Sequence, residues 1–314
     1  MRPTRWSALA GVLAIAALVP THAVAAPKPD SPRPTAVARV KTTSATFSIA
    51  TYNIRNALSA DVAVADIEKL AAAGADVIAT QEMGSRMRRD AVRAAMVDCE
   101  GCAFDAHMTN PSEVGATPIL FRTDRFDLEE TGSRLAADRT FVGRKGAGPA
   151  TIAAKYVNYV KLREKTTGRY LYVLNSHAVA SVQGPDGRSN GNARRMAMYR
   201  QHMETLKSMV SEFTSRGVSV FVVGDLNVNY RRDVRVQDPA FPYANLSQVR
   251  VETSYASLGL PQIGTHEAGT RLIDYISYLQ RRTLKPLSQE ILFGYASDHR
   301  PVLVEFRLAG FRRR

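Results

Sequence analysis

The sequence predicts a single α/β domain in which two β-sheets pack together and helices cover their outer faces. Three observations carry this. Short apolar or alternating segments recur along the chain with helical patterns between them, and no internal repeat appears. Hairpin-like and βαβ-like pieces occur together, so the strands are of mixed direction. The 314 residues, 45% hydrophobic and 23% charged, are ample for one sizeable core.

The elements follow in order. Residues 47–54 (FSIATYNI) alternate as a strand. Residues 61–73 (DVAVADIEKLAAA) form an amphipathic helix, with Asp61 as the expected N-cap and Gly74 just past its end. Residues 76–80 (DVIAT) are a short buried strand. Further strands are expected at 117–122, 151–163 and 169–175, the last two joined by a TTG turn. Residues 191–216 read as a long helix closed by Gly217. Strands at 219–223, 272–277 and 302–306 complete the set, and QGPDGRSNGN (183–192) is the clearest loop.

The N-terminus reads as an export signal. Arg2 and Arg5 precede a twelve-residue apolar run (8–19), and Ala23-Val24-Ala25 is a small-residue cleavage pattern. That run is too short for a membrane-spanning helix, which needs about 20 residues. The expected organisation is therefore a signal peptide over 1–26, a flexible Pro/Ser/Thr-rich leader over 27–45, the folded domain over 46–308 and a basic tail over 309–314. Secretion is the expected destination.

The formal net charge is +13, and the signal accounts for only two of the 42 basic residues. A polyanionic partner fits this charge, either nucleic acid or an anionic lipid surface. Cys99 and Cys102 (CEGC) are the only cysteines, and in an exported chain they are expected to form a small disulfide loop. A zinc site would need more ligands than nearby His107 supplies.

Polar residues collect at the strand ends, where sites are usually built. Asn53 ends the first strand, Glu82 follows DVIATQ, His177 follows YLYVLNS, and Asp225 and Asn227 end FVVGDLN. Each has an ordinary explanation when taken alone, as a cap, a turn or a core histidine. Asp274, inside RLIDYISY, is harder to explain so. A carboxylate among Leu272, Ile273, Tyr275 and Ile276 should be buried, and a buried charge must be paired or hold a metal. His299, in SDHRPV, is its natural partner as an imidazole whose tautomer a carboxylate fixes.

Six motifs together resemble one superfamily. YNIR (52–55), QE (81–82), NSH (175–177), GDLN (224–227), LIDYI (272–276) and SDHRPV (297–302) are similar in order and spacing to the endonuclease/exonuclease/phosphatase superfamily, over roughly residues 46–308. The resemblance implies the deoxyribonuclease I-like four-layer sandwich, with two mainly antiparallel sheets between helices. It implies that Asn53, Glu82 and Asp298 hold a catalytic Mg²⁺, with Mn²⁺ or Ca²⁺ as alternatives. Asp225 and Asn227 would position the nucleophile and the scissile phosphate, His299 oriented by Asp274 would be the general base, and His177 would contact the phosphate. Glu113 and Glu164 are the carboxylates considered for orienting His177. The motif continues HAVA where HL is commoner in the family.

Metal-dependent hydrolysis of a nucleic-acid phosphodiester is the leading expectation. Arg55 and the basic stretches 139–145 (RTFVGRK) and 194–200 (RRMAMYR) support it. A sphingomyelinase-like lipid phosphodiesterase is the alternative. It is weakened because Trp6, the only tryptophan, lies in the signal and no long apolar hairpin is evident. A phosphatase, or an inactive binding protein on the same scaffold, follows behind. A monomer is the default, with no obligate protein partner indicated.

Overall fold

The computed structural model describes residues 43–145 and 148–310. The expected signal, most of the leader and the last four residues of the basic tail lie outside them.

The chain opens with β1 (Ser44–Asn53), α1 (Ala60–Ala72), β2 (Val77–Gln81), α2 (Arg86–Met96), β3 (Phe104–His107) and β4 (Ile119–Arg122). Next come β5 (Phe126–Ala137), β6 (Thr140–Lys145), β7 (Gly148–Ile152), β8 (Lys155–Glu164) and β9 (Tyr170–His177). The third quarter holds α3 (Ala193–Ser215), β10 (Ser219–Asp225), α4 (Tyr230–Val236), α5 (Pro242–Ser247), β11 (Val251–Thr253), α6 (Ser254–Leu258) and β12 (Asp274–Leu279). Strands β13 (Leu284–Ile291) and β14 (Val302–Ala309) close the fold.

These strands form two six-stranded sheets, in the orders β13-β14-β1-β2-β4-β3 and β11-β12-β10-β9-β8-β5, while β6 and β7 make a separate hairpin. Each large sheet is antiparallel except for one central parallel pair, β1 with β2 and β9 with β10. A parallel pair needs a crossover, and α1 and α3 supply the two crossovers. The C-terminal ends of all four central strands point to one end of the molecule. There they meet the start of β12, where Asp274 pairs with Asp225.

Apolar side chains fill three layers. Between the sheets, Phe47, Phe221 and Phe306 pack ring on ring with centroids 5.0–5.9 Å apart. Ile67, Leu70 and Val92 of the first two helices cover the outer face of one sheet, against Tyr52, Ile78 and Leu120. Tyr199, Leu206 and Phe213 of α3 cover the other, against Tyr172, Val220 and Val222. The expected arrangement of two mainly antiparallel sheets between helices is the one observed.

Local differences have physical reasons. The first helix is capped by Ser59, which accepts from the Val62 amide, so Asp61 lies in its first turn instead. β1 starts at Ser44, three residues before the expected strand onset at 47, because it pairs with Ala309 at the end of β14. The expected strand 151–163 is two strands, since residues 151–152 end β7 and β8 begins at Lys155. Helix α2 was not expected, because RMRRDAVRAAM reads as a charged run; its Arg88 and Arg89 are nonetheless buried. Strand β5 was missed for a related reason. It lies at a sheet edge, and its middle residues alternate between half-buried and exposed positions. Cys99 and Cys102 are joined in a disulfide between α2 and β3.

Candidate active site

The strand ends bring the six motifs together. Asn53 Nδ2 donates to Asp225 Oδ2 (3.0 Å), a residue 172 positions away, and to Glu82 Oε1 (3.2 Å). Glu82 Oε2 accepts from the Asn56 amide at 2.7 Å, and Asn53 Oδ1 from the Arg55 amide at 3.1 Å. Arg55, Glu82 and Asn227 all hold positive φ, of 56°, 63° and 56°. Non-glycine residues rarely adopt such conformations unless the surroundings enforce them, and functional sites are where they cluster.

GDLN is a strand end followed by a tight turn around a carboxylate. Asp225 Oδ1 accepts the Asn227 amide (2.9 Å), and Asn227 Nδ2 reaches Ala178 O (3.1 Å) and Asp225 Oδ2 (3.2 Å). Leu226 between them is buried in the core under α3. Gly224 has φ +133°, and an added Cβ would lie 1.9 Å from Ser176 O, so only glycine fits where β10 meets β9.

Asp274 and His299 form a buried pair. His299 Nδ1 lies 3.1 and 3.0 Å from the two Asp274 carboxylate oxygens, so it carries the proton and donates. That leaves Nε2 facing Asp225 Oδ2 at 3.8 Å. Ser297 anchors the loop: its Oγ donates to Asn53 O (2.7 Å), approaches Asp298 Oδ1 (3.3 Å) and accepts the His299 amide (3.1 Å). Asp298 thereby stands beside Asn53, with Arg55 Nε 4.0 Å from its Oδ2.

His177 lies 3.5 Å from Asp225 Oδ2. Asp225 is therefore the carboxylate beside this histidine, not Glu113 or Glu164. Glu113 pairs with Arg139, and Glu164 accepts from Thr166 and Thr167 within the TTG turn. Both were plausible only while distances along the chain stood in for distances in space.

The electrostatics are those of a crowded anionic pocket. Burial raises the Asp225 carboxyl to about 7, and the neighbouring Asp274 carboxylate adds to the rise. Burial opposes protonation of His299, but Asp274, Asp225 and Asp298 outweigh it and hold its pKa above the ordinary value. His177 is held well below the ordinary value by burial and then by the Lys155 ammonium, so its ring is neutral at pH 7. Glu82 offers carboxylate oxygen beside this excess of negative charge, with Asp298 alongside, and Asn53 would add its Oδ1, which here accepts the Arg55 amide. That set suits a hard divalent cation such as Mg²⁺. The three groups Asp225, Asp274 and His299 also lie within ligand distance of one another, but both Asp274 oxygens are engaged by the imidazole.

Three contributors escaped sequence reasoning. Lys155, at the first position of β8, is close enough for Asp225 and Glu82 to act on its ammonium, and burial lowers its pKa. The ammonium makes no hydrogen bond or ion pair among the described residues. A cation inside an otherwise apolar strand pattern was the available signal. Arg88 ties the two loops at this edge, donating to Glu82 O (2.9 Å), Asn56 O and Leu58 O (2.6 Å). Thr265 Oγ1 accepts the Ile273 and Asp274 amides (3.1 and 3.2 Å) and so sets the start of β12. The first and second sheets are pinned together nearby by Gln81 Nε2 donating to Asn175 Oδ1 at 2.8 Å.

No protein-family profile and no curated protein matches the chain. Solved structures do match. A Bacteroides thetaiotaomicron endonuclease/exonuclease/phosphatase family protein superposes with a TM-score of 0.59 at 18% identity, over 84% of this chain and 98% of that one. A mannosyl-6-phosphatase from the same organism gives 0.56 at 18%, over 83% and 99%. D. rerio TDP2 complexed with single-strand DNA product gives 0.56 at 14%, over 83% and 98%. The fold is that of the endonuclease/exonuclease/phosphatase superfamily, as the motifs implied.

Proposed function

We propose that this protein is an exported, metal-dependent phosphodiesterase acting on nucleic acid. The observation that carries the proposal is the line Asp274–His299–Asp225. One ring nitrogen is fixed by a buried carboxylate, and the other stands 3.8 Å from a second carboxylate, so that one water can lie against both. In this reading Asp225 and the Asn227 turn hold the attacking water; its oxygen bonds to phosphorus as the P–O ester bond breaks, its proton passes to the buried Asp225–His299 pair, and the leaving oxygen takes a proton from solvent. His177, kept neutral, donates a hydrogen bond to a phosphate oxygen, and the Lys155 ammonium faces the same charge. Asn53, Glu82 and Asp298 are the residues that would hold Mg²⁺. When bound, such an ion stabilises negative charge developing on the phosphate.

Nucleic acid is favoured over lipid by what flanks the cleft. The β6–β7 hairpin rises between Ala137 and Lys155, at the edge of the site, and presents exposed Phe141 with the Arg194 guanidinium 5.0 Å from its ring centroid. An exposed ring beside arginine is a stacking platform for bases as well as a phosphate contact. The superfamily neighbours include a DNA-bound protein and a phosphatase, consistent with phosphate-ester chemistry on this fold.

The test sets substrates side by side. With Mg²⁺, the mature protein should degrade plasmid DNA or RNA, EDTA should stop it, and His299→Ala and Asp225→Ala should each lose at least about 1,000-fold with unchanged circular dichroism. Release of phosphocholine from sphingomyelin with nucleic acid left intact would overturn the substrate assignment. Near-normal turnover in either variant would overturn the site.

A further inference from the structure

At the end of the molecule opposite the strand ends that carry the cleft, a cavity of 580 Å³ is lined by Arg169, Arg250, Arg281 and Arg282, with Ser211 and Thr214 of α3 along one wall. It is bounded by the residue before β9, the turn before β11 and the far end of β12, and shares no residue with the catalytic constellation. We propose that this cavity is a binding site for a small, multiply charged phosphate compound of about nucleotide size.

Three of the arginines are gathered without matching carboxylates. Among the described residues Arg250, Arg281 and Arg282 form no ion pair. Glu252, bordering the adjoining cavity, instead accepts from Gln280 Nε2 at 2.5 Å. Arg281 is anchored by Nη1 donating to Gly217 O at 3.1 Å, while its buried Nε has no partner. Burial, then the positive charges of Arg169 and Arg250, lowers its pKa. Like charges held together in this way repel unless an anion lies among them. Arg169 is held by donation to the Ala309 and Gly310 carbonyls, which fixes its guanidinium rather than leaving it to trail in solvent.

The backbone is also committed to this placement. Arg250 has φ +61°, uncommon for a side-chain-bearing residue, in the turn that leads into β11. That turn is held at both faces, the Arg250 amide donating to Ser247 O and its carbonyl accepting from Gln280, each at 3.0 Å. Planar guanidinium forks bind phosphate oxygens in pairs, and hydroxyl and amide groups along the wall add donors. The volume falls within the range of small-molecule sites. A small ligand is favoured because all four arginines border this one cavity, within reach of a single compact anion.

The inference stands independently of the reaction proposed for the cleft. Its test is calorimetric titration of the whole exported chain with inorganic pyrophosphate in EDTA, where the carboxylate-rich cleft has no cation to receive an anion. One pyrophosphate per chain is expected, with at least about tenfold weaker binding for the double variant Arg250→Gln/Arg282→Gln, whose folding is checked by circular dichroism. Equal affinity in the two proteins, or no binding to the wild type, overturns the site. Displacement of pyrophosphate by a tighter-binding twelve-nucleotide single strand overturns the assignment of a small ligand.

Discussion

Replacing Gly224 by alanine tests whether the β9–β10 junction holds the two sides of the cleft in register. At φ +133°, an added Cβ stands 1.9 Å from Ser176 O and 2.9 Å from Ser176 C. These are backbone atoms and cannot swing aside, so the strands must part by roughly 1 Å or more to reach ordinary contact distance. The unfavourable φ costs about 1–3 kcal/mol and each ladder hydrogen bond lost about 1 kcal/mol, so a total of about 3–5 kcal/mol is expected. The control is Gly168→Ala in the β8–β9 turn. It has φ +67° but nothing within 4 Å of the added carbon, and it should cost only about 1 kcal/mol. Urea denaturation followed by circular dichroism reads both. Gly224 is followed directly by Asp225 and opposes Ser176, the neighbour of His177. Turnover of Gly224→Ala should therefore also fall about 100-fold or more under native conditions. Equal midpoints for the two variants would refute the close-approach argument.

Other residues give independent checks. Asp233 is fully buried, accepts the Tyr243 amide at 2.8 Å and is raised by burial to about 7 from its ordinary 3.8. The folded state then binds more protons at this carboxyl than the unfolded one between those values, so its contribution to stability is greatest below pH 3.8 and falls as pH rises towards 7. Asp233→Asn keeps the acceptor and should flatten that fall; parallel pH–stability curves for the two proteins would contradict the assignment. Arg88→Met leaves three backbone carbonyls without their donor and should lower stability by about 2–3 kcal/mol in the same urea assay, with weaker Mg²⁺ dependence of turnover. An unchanged midpoint would show that the loops at Glu82 and Asn56 hold themselves. Lys155→Met should reduce kcat by about 10–100-fold with little change in stability; an unaltered rate would remove the ammonium from the site.

The legible part of the fold was the part written in short-range patterns. Strand β1 alternates, β2 and β10 are continuous apolar runs, and Gly74 and Gly217 mark helix ends, so neighbours along the chain suffice to read them. Strand β5 was not legible because it lies at a sheet edge with its middle residues half-buried or exposed, and helix α2 because it buries residues that local pattern assigns to solvent. In α2 the buried groups are Arg88 and Arg89, whose guanidiniums find carbonyls of Glu82 and Met83 supplied by the preceding loop. The N-cap was misread for a smaller reason: Ser59 and Asp61 are both good caps, and only the backbone at Ser59 (φ −66°, ψ 166°) selects between them.

The sequence by itself determined the strand-end polar residues, their order, and the anomaly of a carboxylate within LIDYI. Those features depend on residue type and spacing, which the chain carries openly. Only the tertiary structure decided which of them touch. It placed Asp225 rather than Glu113 or Glu164 beside His177, brought Lys155 to the carboxylates, and made Thr265 and Ser297 the supports of Asp274 and His299. It also gathered four arginines from three separate segments into one cavity. Most of these bring together residues from separate segments through strand pairing, and no local pattern records which distant partner a buried charge will find.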